Sequence, residues 1–343
     1  MKLKEILEIC YGKNQREVEV DFSSIPILGT GGIIGYASRP LYDGESVLIG
    51  RKGTIGMPFY INKPFWTIDT LFYTKINKSI VLPKYLYYCL MTIGLERYSE
   101  GAAVPSLTTK TLYDIEIDVP SMEIQQHIVN TIGSIDDLIE NKYALIAKIK
   151  EFRRVAFLNW KSASKHEESL SDFVSFENGA QPPKEQHIYE PAEGYVRFVQ
   201  NRDYDSDSHL TYIPISKRNH LCNELDIMMD KYGEAGAVRY GIAGAYNVAL
   251  LKIIPTKPNM KEWVRDFLSQ PEIKDILYLS SQASTRPSLN ESTFIALKIP
   301  MLDKDQFDKY ENQMKTLLCE ELLIKKEIIK LKEAKNRLLE KYF

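Results

Sequence analysis

Two stretches of the chain repeat apolar residues every three or four positions over about 40 residues each. The apolar positions of the first stretch include Ile128, Ile132, Ile135, Ile139, Ile146 and Ile149. Those of the second include Met314, Leu317, Ile324, Ile328, Leu331 and Leu338. A spacing of 3.5 residues is typical of helices that pack side by side in a coiled coil. We therefore predict two long helices, each about 60 Å in length, whose apolar stripes face one another.

Charged residues interrupt both stripes. Lys142 and Arg153 occupy stripe positions of the first helix, and Glu321 and Lys335 occupy stripe positions of the second. Adding 182 to a stripe position of the first helix gives a stripe position of the second, so that Arg153 corresponds to Lys335. Unrelated amphipathic helices would not be expected to share a register, and we interpret the two stretches as copies of one element.

The segments outside the long helices alternate strand and helix patterns. Apolar runs at 67–73 and 248–254 predict strands. Helices are predicted from Pro83 to Leu90 and from Pro258 to Leu268, since proline is favoured in a first helical turn. Many glycines between these elements indicate tight turns and places where the backbone approaches a ligand closely. The globular parts are therefore predicted to be mixed α and β.

The same motifs occur twice in the same order. The segment 3–12 and the segment 170–179 both read L-x-x-φ-φ-x-φ-x-x-G, where φ is apolar. Gly53 and Gly56 correspond to Gly233 and Gly236, and the tripeptide Pro-Ser-Leu occurs at 105–107 and again at 287–289. In each copy a short strand-like run ending in proline follows, at Pro120 and at Pro300, before the long helix begins. Five matches in one order predict an internal repeat.

The repeat fixes the order of parts as domain, helix, domain, helix. The predicted bounds are 1–120 for the first domain, 121–161 for the first helix, 162–303 for the second domain and 304–343 for the second helix. The second helix buries its stripe most simply by running back along the first. The predicted fold class is α+β, with two homologous α/β domains separated by an antiparallel coiled coil and related by a pseudo-two-fold axis.

The net charge of the chain limits the kind of ligand that these domains can bind by themselves. The chain of 343 residues has a net charge of −2, and segment 162–303 holds 15 basic and 20 acidic residues. A nucleic-acid contact would therefore depend on local basic patches or on a more basic partner. No run approaches about 18 apolar residues and the N-terminus does not resemble a signal peptide, so we expect a cytoplasmic protein with reduced cysteines.

No catalytic constellation is found in the sequence. The glycines at 29–32 lack a convincing strand–loop–helix context for a cofactor loop, and the segment 50–54 is too short for a P-loop. Ser106 and Ser288 are not accompanied by a repeated histidine, which argues against a nucleophilic triad. His209, His220 and Cys222 match no zinc motif. We predict a non-catalytic protein without cofactor or metal, and interpret the glycine-rich loops as a binding surface.

The ordered, duplicated motifs resemble the specificity subunit of type I restriction–modification systems. The segment 101–126 (GAAVPSLTTKTLYDIEIDVPSMEIQQ) resembles the end of a target-recognition domain and the start of the helix that follows it. The segment 284–306 (STRPSLNESTFIALKIPMLDKDQ) has the same plan. The resemblance covers essentially the whole chain, and its specificity lies in the order and duplication of the motifs.

The resemblance implies a subunit that recognises a bipartite sequence in double-stranded DNA, one half-site per target-recognition domain. It further implies that the two helices set the spacing between half-sites and dock two methyltransferase subunits, and that restriction subunits can join the assembly. The chain itself would be the non-catalytic recognition subunit of the resulting methyltransferase and endonuclease complex.

Base-reading residues do not follow from the resemblance, and we rank candidates by chemistry and position. Arginine and asparagine suit guanine and adenine edges, and lysine suits phosphates. The candidates of the first domain are Tyr36, Arg39, Arg51, Lys52 and Thr54. Those of the second domain are Arg197, Asn201, Arg202, Lys231, Tyr232, Arg239, Tyr240, Ser284, Thr285 and Arg286. The repeat aligns 51–52 with 231–232, and we expect this pair of loops to face DNA.

Two other interpretations remain open. The acidic balance is compatible with a non-enzymatic scaffold whose duplicated domains bind proteins. A nuclease or methyltransferase fused to its own recognition module is opposed by the missing motifs. A neighbouring reading frame that carries an amino-methylation motif would favour the DNA-specificity interpretation over both.

Overall fold

The computed structural model describes residues 1–101, 105–282, 288–289 and 291–343. The chain divides into two compact units. Unit 1 comprises Met1–Lys142 and Glu327–Phe343, and unit 2 comprises Tyr143–Lys326. Each unit therefore combines one predicted domain with a segment of each long helix.

Unit 1 begins with eight strands and three short helices. Their bounds are α1 Leu3–Ile6, β1 Leu7–Tyr11, β2 Glu19–Val20, β3 Ile25–Gly29, β4 Gly32–Ala37, β5 Ser46–Gly50, β6 Phe59–Ile61, β7 Trp66–Thr67, β8 Leu71–Ile76, α2 Pro83–Ile93 and α3 Thr109–Tyr113. The long helix α4 follows as Met122–Ser162.

Two sheets form the body of unit 1. One has the strand order β1-β8-β5-β6, and the other has the order β2-β4-β3-β7. All five residues of β5 are buried, as its apolar sequence requires of a central strand. Helix α2 buries Tyr85, Tyr88 and Leu90 in the same core and ends at Gly94, whose φ of 69° lies in the left-handed region that favours glycine.

Unit 2 continues with ten strands and three short helices. Their bounds are β9 His166–Ser169, β10 Val174–Asn178, β11 Tyr195–Val199, β12 Tyr212–Pro214, β13 Leu221–Cys222, β14 Ile227–Asp230, β15 Val238–Arg239, β16 Gly244–Tyr246, β17 Leu250–Pro255, α5 Lys261–Leu268, α6 Pro271–Ser281, α7 Glu291–Phe294 and β18 Lys298–Met301. The second long helix, α8, is Lys304–Tyr342.

Two sheets of unit 2 resemble those of unit 1, and a third pairs β18 with β9. The order β10-β17-β14-β15 matches β1-β8-β5-β6, and the hairpin β11–β12 matches β3–β4. In each unit the first strand of that hairpin also pairs in parallel with a later strand, β7 in unit 1 and β16 in unit 2. Gly12 and Gly179 close the repeated motif, and a Cβ at either would lie about 2 Å from a backbone carbonyl oxygen. The repeat read from the sequence is therefore a structural repeat.

Three predicted strands are corrected by the structure. The run 67–73 is divided by a turn at 69–70, where the amide of Leu71 donates to the carbonyl of Ile68. The run 248–254 starts as a strand only at Leu250, whose amide donates to the carbonyl of Asn247 in the same kind of turn. The run ending at Pro120 contains only a bridge at Glu116, because its partner Lys2 is followed directly by helix α1. Apolar alternation alone does not reveal these turns.

Within each unit the segments of α4 and α8 run in opposite directions. In unit 1 the Nζ of Lys335 lies 2.6 Å from Oδ1 of Asp136, and Lys142 pairs with Glu327. In unit 2 the Nη1 of Arg153 donates to the carbonyl of Met314 at 2.8 Å. As residue numbers rise on α4 they fall on α8, which is the antiparallel arrangement that the stripes predicted.

The predicted stripe residues are buried or half-buried. The buried ones are Ile128, Ile132, Ile146, Ile149, Met314, Ile324 and Ile328. The half-buried ones are Ile135, Ile139, Leu317, Leu331 and Leu338. Sequence reasoning missed Phe157, Leu318 and Leu339, which are also buried on these helices. Among the described residues, no helix is both long and apolar enough to cross a membrane.

Candidate nucleic-acid interface

In unit 1 the residues that follow β5 contact the Pro-Ser-Leu loop. The amide of Leu107 donates to the carbonyl of Arg51 at 3.0 Å, and Lys52 forms a bridge with Ser106. The amide of Arg51 in turn donates to the carbonyl of Thr70 at 2.8 Å. These backbone contacts hold loop 51–54 and loop 105–107 together at the end of strand β5.

The tip of hairpin β3–β4 lies against the same loops. A Cβ built on Gly53 would be 3.3 Å from Oγ1 of Thr30, the first residue of the hairpin turn. We call the hairpin tip 30–34, loop 51–54 and loop 105–107 the loop surface of unit 1. Its position at the ends of strands that are buried elsewhere gives it a rigid support.

The candidates of the first domain differ in how freely their side chains project. Lys52 and Thr54 are exposed on the loop surface, and Arg39 is exposed two residues after β4. Tyr36 is 39% exposed on β4 itself. Arg51 is half-buried, because its guanidinium lies 5.3 Å from the ring centroid of Tyr11 and donates to the carbonyl of Asp69. The structure thus gathers Arg51, Lys52 and Thr54 on one surface.

The loop surface of unit 1 also carries apolar side chains that sequence reasoning missed. Ile33 is 57% exposed and Ile34 is 50% exposed. Both belong to β4, where the register with β3 shifts and leaves Ile34 as an extra, unpaired residue. The indication in the sequence is two adjacent isoleucines between Gly32 and Gly35. A strand with one buried face would have apolar residues at alternate positions instead.

Unit 2 repeats the contacts that organise the loop surface. The amide of Leu289 donates to the carbonyl of Lys231 at 3.2 Å, as Leu107 does to Arg51. The Nζ of Lys231 donates to Oδ1 of Asn178 at 2.7 Å. Asn178 stands at the repeat position of Tyr11, the residue that contacts Arg51. We call the turn 200–211 between β11 and β12, loop 231–236 and residues 288–289 the loop surface of unit 2.

Four candidates of the second domain remain at least partly accessible on this surface, and one of them is the half-buried Lys231. Arg202 has a side chain that is 53% exposed, and Tyr232 is 40% exposed beside Lys231. Asn201 is half-buried at the start of the turn between β11 and β12. Arg197 is less free, because its Nη2 donates to Asp207 at 2.7 Å and its side chain is 24% exposed.

Arg239 holds the loop surface of unit 2 together. It donates to Oδ2 of Asp230 at 2.9 Å and to Oδ1 of Asp205 at 3.2 Å, and its guanidinium stacks on Tyr204. The turn between β11 and β12 is thereby tied to the end of β14. Burial raises the pKa of the Asp230 carboxyl. The side chain of Arg239 is only 18% exposed, so it is occupied by partners within the unit.

Tyr240 lies against α8 and away from the loop ends. Its hydroxyl donates to Oε2 of Glu321 at 2.9 Å, and the cations of Arg265 and Lys325 lie 5.1 Å and 4.8 Å from its ring centroid. Burial and the Glu321 carboxylate raise the pKa of the Tyr240 hydroxyl. The candidates Ser284, Thr285 and Arg286 lie outside the described residues.

The long helices are joined to each domain through the charged stripe positions. In unit 2 the guanidinium of Arg153 donates to Glu262 at 2.7 Å and to Asp266 at 2.8 Å, both on α5. Burial opposes ionisation of Glu262, yet beside Arg265 and Arg153 the pKa of its carboxyl is held below its ordinary value. In unit 1 the ammonium of Lys335 lies over the rings of Tyr88 and Tyr87 on α2.

No group of histidine, cysteine and acidic residues that could hold a metal ion occurs in the part of the chain that the structure describes. Within that part, Nδ1 of His220 is 2.8 Å from Glu177 and Cys222 is buried on β13.

Comparisons with known proteins agree with this geometry. Residues 1–151 match the family model of the type I restriction modification DNA specificity domain. The type I restriction enzyme MjaIX specificity subunit of Methanocaldococcus jannaschii is 25% identical over 346 residues, which cover 89% of this chain and 78% of that protein. The type I restriction enzyme EcoprrI specificity subunit of Escherichia coli is 27% identical over 126 residues, or 36% of this chain and 31% of that protein.

The fold is also similar to a solved structure. The crystal structure of the type I restriction–modification S subunit from M. genitalium aligns with a TM-score of 0.68 at 16% identity, covering 100% of this chain and 95% of that one. The predicted resemblance to type I specificity subunits is confirmed by these matches. The predicted fold class, with two homologous domains and two long helices, is confirmed as well.

Proposed function

We propose that this chain is the DNA-specificity subunit of a type I restriction–modification system, in which each domain recognises one half of a bipartite duplex sequence. The observation that carries the proposal is the duplicated loop surface. In both units a Pro-Ser-Leu leucine amide bonds the carbonyl that follows the central strand, at Arg51 and at Lys231. Two equivalent loop surfaces on one chain suit two separate sites on one extended ligand.

The residues proposed to contact DNA are the candidates of each domain whose side chains are accessible. In unit 1 they are Tyr36, Arg39, Lys52 and Thr54, with Arg51 at the base. In unit 2 they are Asn201, Arg202, Lys231 and Tyr232. Exposed lysine and arginine suit phosphates, while asparagine and arginine suit base edges.

Arg197, Arg239 and Tyr240 were proposed as DNA contacts from sequence alone, and their geometry favours a positioning role instead. Arg239 engages two carboxylates and a tyrosine ring, so contact with a phosphate would require at least one of these interactions to break. Tyr240 is directed toward Glu321 on α8. We propose that Arg197 and Arg239 hold the turn between β11 and β12 in its reading conformation.

The partners in this proposal are double-stranded DNA and two methyltransferase subunits, which restriction subunits can join. The net charge of −2 supports a need for partners, because the chain alone offers little positive charge to neutralise phosphates. We propose that the chain is not an enzyme itself, that it acts in the cytoplasm where DNA and these subunits meet, and that the domain and helix bounds predicted from sequence are its functional parts.

The test is methylation mapping of cells that express the chain with its methyltransferase subunit. A bipartite methylated sequence is expected, and replacing residues 162–303 with the second domain of another specificity subunit should change only one half of it. A continuous target, or a change in both halves, would contradict independent reading. Absence of any methylation, together with retained binding of a protein partner, would favour the scaffold interpretation.

A further inference from the structure

Hairpin β3–β4 of unit 1 ends in an apolar, uncharged tip that is open to solvent. Ile33 and Ile34 follow the turn on β4, at a register shift where Ile33 pairs with Leu28 and Gly35 pairs with Ile27. With 57% and 50% of their surfaces exposed, both side chains project into solvent at this point. Two large apolar side chains exposed together at a strand end indicate a contact with another molecule.

Gly31 in the same turn is a glycine that the fold does not require. A Cβ built on it would meet no atom within 4 Å, and its φ is not positive. Its neighbour Gly32 differs, since a φ of 113° there favours glycine. Among the glycines whose surroundings the structure describes, Gly31 alone combines open space with an ordinary φ. A missing side chain at a hairpin tip allows the backbone to approach an external surface closely.

We propose that hairpin β3–β4 enters the major groove of the half-site read by unit 1, where Ile33 and Ile34 contact the 5-methyl groups of thymines. This inference rests on the proposed function. The major groove accommodates a two-stranded β-ribbon, and the thymine methyl is the apolar group on its base edges. The hairpin places no charge in the groove between Thr30 and Tyr36, which suits such a contact.

The surroundings of the tip fit the flanks of a groove. Lys52 is exposed, and it forms no ion pair with any residue that the structure describes. Lys52 precedes Gly53, which lies beside the hairpin turn at Thr30. Free cations on loops next to an apolar ribbon can bond the phosphates that border the groove. The equivalent turn of unit 2, with the sequence NRDYDSDSH at 201–209, contains no pair of aliphatic residues, so the inference concerns unit 1 alone.

The experiment replaces thymine by deoxyuridine, which removes the 5-methyl group and keeps every base-pairing atom. The full chain is assembled with its methyltransferase subunits, and binding is measured to duplexes that carry the mapped target. Uracil in the half-site of unit 1, identified by the exchange of 162–303, should weaken binding about fourfold for each methyl group that is buried. Uracil in the unread spacer should leave the affinity unchanged.

Variants of the tip connect this effect to the two isoleucines. The double variant Ile33→Ala/Ile34→Ala should bind thymine and uracil duplexes equally, at the affinity of the wild type for uracil. Ile215→Ala is the matched control, since Ile215 is 68% exposed but lies at the other end of strand β12 in unit 2. It should keep the thymine preference. Gly31→Ala should weaken binding to both duplexes while leaving the melting temperature unchanged.

The outcomes separate the inference from the function on which it rests. If the wild type binds both duplexes equally, or if the half-site of unit 1 contains no A·T pair, the thymine contact is wrong and the specificity subunit stands. If the assembled complex shows no preference for the mapped target at all, the proposed function fails. The comparison of duplexes uses the wild-type chain and does not depend on any variant folding.

Discussion

In units 1 and 2 a basic side chain at the same stripe position of a long helix contacts the adjoining domain, but the groups that it contacts differ. In unit 2 that position is Arg153, whose guanidinium is buried and bonded to Glu262, Asp266 and the carbonyl of Met314. In unit 1 it is Lys335, whose ammonium pairs with Asp136 and lies over two tyrosine rings. Both repeats have a cation at this position, and the residues that contact it differ.

This difference shows that the cation can be stabilised at the same position either by buried carboxylates or by aromatic rings. A guanidinium can bond several carboxylate oxygens at once, so Arg153 permits two buried acids on α5. An ammonium is a compact charge, and aromatic faces accommodate it without burying a second acid. Unit 2 should consequently depend on its cation far more than unit 1 does.

The largest effect is expected from Arg153→Met. It leaves two carboxylates buried with one cation, and breaking a buried ion pair by removing one partner costs about 3–5 kcal/mol. Urea unfolding, followed by pulsed hydrogen exchange, should show this loss in peptides from β14 and β17 of unit 2. Arg154→Met is the matched control, because the side chain of Arg154 is 48% exposed beside Glu151 and should contribute less than about 1 kcal/mol. Equal losses in both variants would contradict the buried network.

A smaller effect is expected from Lys335→Met in unit 1. Asp136 keeps a partner, since the hydroxyl of Tyr88 donates to its Oδ2 at 2.7 Å. The loss should be about 1–2 kcal/mol, the magnitude of a largely desolvated contact between a cation and an aromatic ring. Pulsed exchange of peptides from β5 and β8 measures it, with the exposed Lys330→Met as control. A loss as large as that of Arg153→Met would mean that the two units depend on their cations equally.

The repeat and the long helices were predictable from sequence because both depend on spacing. Heptad stripes and paired motifs keep their offsets whatever their partners are, and the observed α4 starts at Met122 and α8 at Lys304. The turns inside the apolar runs were not predictable. Strands begin at Leu71 and Leu250 because the amides of these two residues close turns onto Ile68 and Asn247, which a period of two residues does not reveal.

The location of the candidate site could be predicted from the sequence, but the roles of its charged residues could not. Loops 51–54 and 231–236 were expected from the repeat, and the paired amides of Leu107 and Leu289 connect them to the Pro-Ser-Leu loops. The roles of charged residues depend on distant partners. Arg239 and Lys52 are both basic loop residues in sequence, but three-dimensional folding gives Arg239 two carboxylates and leaves Lys52 exposed.

A third prediction compares the loop surfaces through Lys52→Ala and Lys231→Ala. If each lysine contacts one phosphate, each variant should lower the slope of log affinity against log salt by about 1 and weaken binding of all sequences alike. The measurement is a salt titration of the assembled complex. Lys63→Ala, at an exposed position after β6, is the control and should leave the slope unchanged. A changed target sequence in the methylation map would show that the lysine reads bases.

The smallest expected effect is a difference in how the two units respond to acid. Burial raises the pKa of Glu311 and of Asp203 in unit 2. In unit 1 the ammonium of Lys75 lowers the pKa of Glu8, and that of Lys78 lowers the pKa of Glu45. A raised pKa means that the folded state binds more protons than the unfolded one, and a lowered pKa means the reverse.

The signs follow from this binding of protons. As pH falls from 7 toward 5, the folded state of unit 2 takes up protons first and its free energy of unfolding should rise, while unit 1 should hardly change. Below about pH 4.5 unit 1 should lose stability, because the unfolded carboxyls then bind protons that Lys75 and Lys78 exclude from the folded ones.

Urea midpoints at each pH, read by a hydrogen-exchange pulse at fixed pH, separate the units. Glu311→Gln should reduce the rise in unit 2, since an amide oxygen can still accept from the amide of Glu262 but does not titrate. Midpoints that move together in both units would mean that burial of these acids does not distinguish the two domains.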